Sequence, residues 1–113
     1  MRIACGVDIV DLSLITSLLN DKNQLERILL PGDINNNNPE HIAGRVALKE
    51  ATIKALGLEP NDWLAISISA NDSGKPIISV QSVPDKLISM DGSISHHGNM
   101  VVAYVVALID DEN

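Results

Sequence analysis

The sequence predicts an α+β domain in which a largely antiparallel sheet packs against one long central helix. Three observations carry that expectation. Residues 2–10 alternate between two faces, residues 40–58 hold the clearest helical pattern, and from Leu64 onward short apolar runs alternate with turn residues. The order is strand, helices, then several strands. No internal repeat or domain-scale linker divides the 113 residues, so one domain is expected over 1–113, with an acidic tail at 110–113.

Taken in order, Ile3, Cys5, Val7 and Ile9 share one face of the first segment, and Arg2, Ala4, Gly6, Asp8 and Val10 share the other. That period of two marks a strand. Cys5, on the more apolar face, is expected in the core, and Asp8 falls near the strand's end. Leu12, Ile15, Leu18 and Leu19, then Leu25, Ile28 and Leu29, recur at helical spacing. They predict a helix and a second short one, with Asp11 or Ser13 as N-cap and a break at 20–23. Pro31, Gly32 and Asp33, with the asparagine run 35–38 before Pro39, are turn chemistry that predicts no regular element.

The helix over 40–58 is rich in Ala, Leu, Lys and Glu, and Gly57 closes it ahead of Pro60. At about 100° per residue, Ile42, Val46 and Ile53 form one stripe and Ala47, Ala51, Ala55 and Leu58 another. Glu50 and Lys54 fall between the stripes, which points them into a cleft or an interface. Ala43, Ala47, Ala51 and Ala55 keep one side thin enough for close approach of another backbone. Arg45 and Lys49 are expected on the remaining polar edge. Beyond the helix, 64–69 and 77–80 read as a hairpin around the turn residues 71–74. Pro84 opens a segment expected to make one helical turn over 85–90. The runs 93–97 and 100–109 then read as strands joined through Gly98 and Asn99, and the last, apolar on both faces, is expected at the centre of the sheet.

Composition narrows the function classes. Apolar residues make up 45% and charged residues 20%, which excludes overall disorder. With Trp63 and Tyr104 the only aromatics, the core must be built from Ile, Val, Leu and Ala. The longest apolar run, 100–109, falls well short of the roughly 20 residues of a membrane-spanning helix. The amino-terminal segment lacks the uncharged core of a signal peptide, so a cytoplasmic protein without a membrane partner is expected. Eight basic residues against fifteen acidic ones give a net charge of −7, which argues against nucleic-acid binding through a basic face. A single Cys5 can form neither an intramolecular disulfide nor a thiolate metal pair.

Several side chains could carry chemistry. Glu50 and Lys54 are spaced as an ordinary surface pair worth a few tenths of a kcal/mol. Asp8 could simply cap the following helix. Together, though, Asp8 and Glu50 are two carboxylates on separate elements that could converge on a hard cation such as Mg²⁺, with a nearby lysine supplying charge to phosphate. His96 and His97, as strand neighbours, point to opposite faces and cannot easily share one ion. Ser95 beside His96 has no triad geometry. Lys75 lies in a turn, where solvation is the ordinary state. Neither a G-x-G-x-x-G nor a Walker loop is present.

Four ordered segments carry a resemblance: residues 6–10 (Gly-Val-Asp-Ile-Val), 43–57 (with Lys-Glu-Ala-Thr-Ile-Lys at 49–54), 74–76 (Gly-Lys-Pro) and 93–96 (Ser-Ile-Ser-His). Together they resemble the holo-(acyl-carrier-protein) synthase family of 4′-phosphopantetheinyl transferases over nearly the whole chain. The resemblance implies an enzyme that moves the phosphopantetheine arm of coenzyme A onto a serine of an apo acyl or peptidyl carrier protein, releasing adenosine 3′,5′-bisphosphate. It implies that Asp8 and Glu50 hold Mg²⁺, that Lys54 neutralises charge on the phosphoryl oxygens, and that the serine proton passes to Glu50 or to a water on the metal. His96 and Ser95 would contact coenzyme A, with Lys75 and Arg45 as further phosphate or supporting contacts. A homotrimer with sites shared between subunits is also implied.

The chain departs from the family at its first helices, which usually present arginines to an acidic carrier. Here Asp11, Asp21 and Glu26 outnumber Lys22 and Arg27. The docking face is therefore atypically acidic, and the expected carrier is an unusual one, less acidic or held through Leu14, Leu18 and Leu19. Val46 replaces the family's aromatic after the helix arginine, and the asparagine-rich loop replaces a longer charged segment. The alternative is a non-catalytic relative that binds coenzyme A or a partner after losing carrier docking.

Overall fold

A computed structural model describes residues 1–82 and 86–111. Strand β1 (Arg2–Asp11) leads into helices α1 (Leu12–Leu19) and α2 (Lys22–Ile28), and the long helix α3 (Pro39–Leu56) follows. Then come β2 (Ile66–Ala70), β3 (Pro76–Val80), β4 (Lys86–His97) and β5 (Met100–Asp110). Two single 3-10 turns, Pro31–Asp33 and Asp62–Ala65, punctuate the connections. All pairings are antiparallel, as expected, but they form two sheets: β1-β5-β4, with β5 central, and a separate β2-β3 hairpin. No described helix is long and apolar enough to cross a membrane.

The local chemistry explains the boundaries. Asp11 accepts from the Ser13 amide as the N-cap of α1, and Asp21 caps α2 through Gln24. Asn38 caps α3 through the amide of Glu40, with Pro39 at the first helical position. Gly57 ends α3 with φ 65°, a conformation in which a Cβ is strained. Gly98, at φ 59°, makes the tight turn between β4 and β5. Asn71 Oδ1 collects the Ser73 and Lys75 amides, and so builds the β2-β3 turn.

Helix α3 lies on one face of the larger sheet. Val10, Val101, Ala103, Val105, Ala107 and Ile109 are buried on that face, and the alanine stripe 43, 47, 51 and 55 is buried against it. Small residues on both sides let the backbones close up. A Cβ on Gly6 would run into the Ala51 carbonyl oxygen and lie 2.9 Å from the Ala55 amide nitrogen. The opposite side of α3 is covered by Ile15 and Leu18 of α1, by Leu29, and by Ile66 and Ile68 of β2. Buried on nearly every side, α3 is the axis of the fold.

Several expectations are corrected here. Cys5 is exposed, because the sheet turns its Ala4, Gly6, Asp8 and Val10 face to the helix and leaves Ile3, Val7 and Ile9 outside. The more apolar face is thus the open one, since only the thinner face admits α3. The helical turn expected over 85–90 is strand from Lys86 onward, because β5 offers a ladder as far as Asp110; Pro84 and Asp85 lie outside the described residues. Pro31–Asp33 forms a 3-10 turn where no element was expected. Of the acidic tail, Asp110 belongs to β5, and Asp111 pairs with the Met1 ammonium at 3.2 Å and with Arg2 at 3.4 Å; residues 112 and 113 lie outside the described residues. Leu18 is buried, so only Leu14, 54% exposed, offers a large open apolar side chain on α1.

The contact at Gly6 yields a direct test. Gly6→Ala should destabilise the protein by about 3 kcal/mol or more, whereas Gly32→Ala, with nothing within 4 Å of the added methyl, should change little. Urea unfolding of the two variants measures both.

Candidate active site

Glu50 and Lys54 stand one turn apart on the flank of α3 that faces β1. They do not pair with each other. Lys54 Nζ donates to the Val7 carbonyl at 2.9 Å and sits 3.4 Å from Asp8 Oδ1, while Glu50 Oε1 accepts the indole N–H of Trp63. Asp8 lies opposite Ala103 in the β1-β5 register, on the helix side of the sheet, with its side chain 19% exposed. Lys54 remains half exposed. Asp8 and Lys54 therefore meet between β1 and α3, and Glu50 stands one helical turn before Lys54 with its carboxylate on Trp63. Among the described residues no group of three or more His, Cys, Asp and Glu side chains gathers, so any cation here would rest on these two carboxylates and on oxygens it brings.

The other predicted residues stand on the opposite flank. A groove of about 590 Å³ runs between α3 (Glu40, His41, Gly44, Arg45), the β2-β3 turn (Ser73 to Pro76) and β4 (Asp91 to Ile94). Counted at about 100° per residue, Arg45 and Glu50 lie about 140° apart around the helix. Arg45 is buried and donates to the Ser69 carbonyl at 3.2 Å, tying the hairpin to the helix. Burial lowers its pKa, and nearby Asp33 acts in the opposite direction. Lys75 pairs with Asp91 at 2.8 Å and holds that carboxyl below its ordinary value. His96 stands 3.8 Å from Glu40 at the groove's end. Register settles the two histidines: His96 pairs with Val101 on the helix side, whereas Ser95 and His97 pair with Val102 and Met100 on the open face. Ser95 and His96 thus point to opposite sides of the sheet.

Scanned against models of protein families, the chain matches none. Individual proteins match over nearly its full length. The holo-(acyl-carrier-protein) synthase of Trichlorobacter lovleyi is 31% identical, over 94% of this chain and 97% of its own. The chain belongs to the holo-(acyl-carrier-protein) synthase family. Two solved synthases of that family superpose closely. The Helicobacter pylori synthase in complex with coenzyme A has a TM-score of 0.80 at 31% identity, over 92% of this chain and 99% of that one. The Bacillus anthracis synthase, in complex with CoA (3′,5′-ADP), has a TM-score of 0.76 at 32% identity, over 92% of this chain and 94% of that one.

Within this synthase-family fold, two structural supports lie beyond what the sequence pattern announces. Lys49, expected on a polar edge beside Arg45, is fully buried. Its ammonium reaches Asp33 Oδ2 at 2.6 Å and donates to the carbonyls of Ile28 and Trp63, each at 2.9 Å. Asp33, read only as a turn residue, also accepts the Leu30 amide at 2.7 Å and the Ile68 amide at 2.9 Å. Desolvation lowers the lysine's pKa, and the bond to Asp33 opposes that shift. The second support, Trp63, had registered only as a rare aromatic. No periodicity announces an acid 16 residues away in a turn, so helical spacing alone places Lys49, like Arg45, on the polar edge.

Lys49→Met tests this centre. It leaves the Asp33 carboxylate buried without its cation, and should cost about 3–5 kcal/mol, read as a fall in the urea midpoint with the m-value unchanged.

Proposed function

We propose that this chain transfers the 4′-phosphopantetheine group of coenzyme A to a serine of an apo acyl or peptidyl carrier protein, releasing adenosine 3′,5′-bisphosphate. The observation that carries the proposal is the Asp8–Lys54 pair between β1 and α3, with Glu50 one helical turn before Lys54, in a chain whose relatives are holo-(acyl-carrier-protein) synthases and include coenzyme A complexes.

The residues fit a magnesium ion: two hard, partly exposed carboxylates on adjoining elements suit a cation that takes one or two carboxylates plus phosphate oxygens and waters. Bound there by Asp8 and Glu50, Mg²⁺ would supply Lewis-acid polarisation of the pyrophosphate. Lys54 spends N–H groups on Val7 and Asp8 and keeps its half-exposed ammonium available to phosphoryl oxygens that gain charge. The carrier serine oxygen attacks phosphorus in line, and the bond from phosphorus to the bridging pyrophosphate oxygen breaks. The serine proton leaves to Glu50 or to solvent. Coenzyme A would run along the groove past Lys75, Arg45 and His96; Ser95, on the other face, would meet a ligand only from that side. The proposed setting is the cytoplasm.

The placement of the two half-sites supports a homotrimer. Asp8, Glu50 and Lys54 face one flank of α3 and the groove opens on the other, so a second copy must bring one half against the other. The open face of the larger sheet offers the contact, since Ile3, Val7, Ile9, Ile88 and Tyr104 are all at least 45% exposed on it. An α1 helix without a basic residue at either end supports a carrier less acidic than usual, met through Leu14.

Intact-mass analysis after incubation with coenzyme A, Mg²⁺ and apo carriers of graded acidity is the test. A gain of one phosphopantetheine is expected, abolished in Asp8→Ala and in Glu50→Ala with the fold retained; unchanged turnover in either variant overturns the assigned roles. Coenzyme A binding with no transfer to any carrier would favour the non-catalytic alternative. Val7→Asp should reduce the native mass measured by light scattering from trimer to monomer and abolish transfer with it.

A further inference from the structure

Neighbouring residues on α3 hold one residue by its backbone and by its side chain. Lys49 Nζ holds the Trp63 carbonyl at 2.9 Å, and Glu50 Oε1 accepts the Trp63 indole N–H. The Lys49 ammonium, with three donors, is saturated by Asp33, Ile28 and Trp63, so the backbone at residue 63 is pinned from inside the core. The ring itself packs against the hydrophobic core, and the 3-10 turn that carries it is closed by the Ile66 amide on the Trp63 carbonyl and preceded by a turn that the Asp62 amide closes on the Glu59 carbonyl at 3.0 Å. Trp63 is therefore a rigid donor, and its bond is the one that reaches the Glu50 carboxylate among the described residues.

We propose that Trp63 is a positioning residue for Glu50. Its indole N–H fixes Oε1 and leaves Oε2 as the oxygen presented to a cation or a proton. A carboxylate at the end of a glutamate otherwise turns freely about a broad terminal torsion. The indole suits the task because it can only donate: it neither competes as a ligand nor exchanges roles with the carboxylate. A hydrogen bond to one oxygen of a ligating carboxylate orients the other. The inference rests on the reading of Glu50 as a site carboxylate, and the test separates the two.

Trp63 is the chain's single tryptophan, so the full-length protein has one indole N–H resonance. In metal-free buffer that resonance should be protected from exchange, and it should move in Glu50→Ala. Addition of Mg²⁺ with coenzyme A should shift it in the wild type and not in Glu50→Ala. Trp63→Phe keeps an aromatic ring and removes the donor. It should raise the Mg²⁺ concentration for half-maximal transfer by about 10–100-fold, with transfer recovering toward wild type at saturating Mg²⁺. An indole resonance indifferent to Glu50→Ala overturns the inference, as does wild-type Mg²⁺ dependence in a folded Trp63→Phe. Transfer absent from the wild type overturns the transferase proposal alone. The indole response to Mg²⁺ then decides the positioning role, a shift supporting it and none overturning it, and the same measurement decides if Trp63→Phe does not fold.

Discussion

A buried ammonium lies where five segments meet. Through Lys49, helix α3 holds the end of α2 by the Ile28 carbonyl, the turn after it by Asp33, and the turn before β2 by the Trp63 carbonyl. Asp33 extends the connection to β2 through the Ile68 amide. Burying two charges is costly unless both are fully hydrogen-bonded, and here both are, each by groups the other's partners position. The apolar packing of α1 and β2 on α3 is thus set in register by a polar centre, and without it the hairpin and the short helices would pack on α3 without a fixed angle.

That centre adjoins the chemistry. Lys49 and Glu50 are consecutive, so the residue that organises the core directly precedes the carboxylate at the surface, and Trp63 touches both. One turn before Lys49, on the same side of α3, Arg45 ties the hairpin to the helix by the Ser69 carbonyl, which sets how far the wall bearing Lys75 stands from α3. Two cations one turn apart on the same side of the helix therefore brace it inside the fold, while Lys54 and Lys75 stay half exposed.

Much of this was legible in the residues. The period of two in β1, the helix closed by Gly57, the Gly98 turn and the central β5 all follow from local rules, and the helical spacing sets Glu50 and Lys54 one turn apart. The choice of the buried face of β1 was not legible, because hydrophobicity favoured the side with Ile3, Val7 and Ile9, whereas the fold selects the side thin enough for a helix. Nor could periodicity find Lys49, whose acid lies in a turn, or Trp63, whose value is a single N–H. The strand character of 86–90 depends on a ladder supplied by β5, a tertiary cause that overrides local preference.

The close approach of α3 to β1 at Gly6 also acts as a ruler. Because the two backbones nearly touch there, Lys54 reaches the Val7 carbonyl directly, and the acid beside it needs only one methylene to meet the same ammonium. The longer side chain of a glutamate at position 8 would overshoot and have to fold back. The absent side chain of one residue thereby selects which acid can serve two positions later, and a scaffold with a bulkier seam between strand and helix would need a different pair of acids altogether.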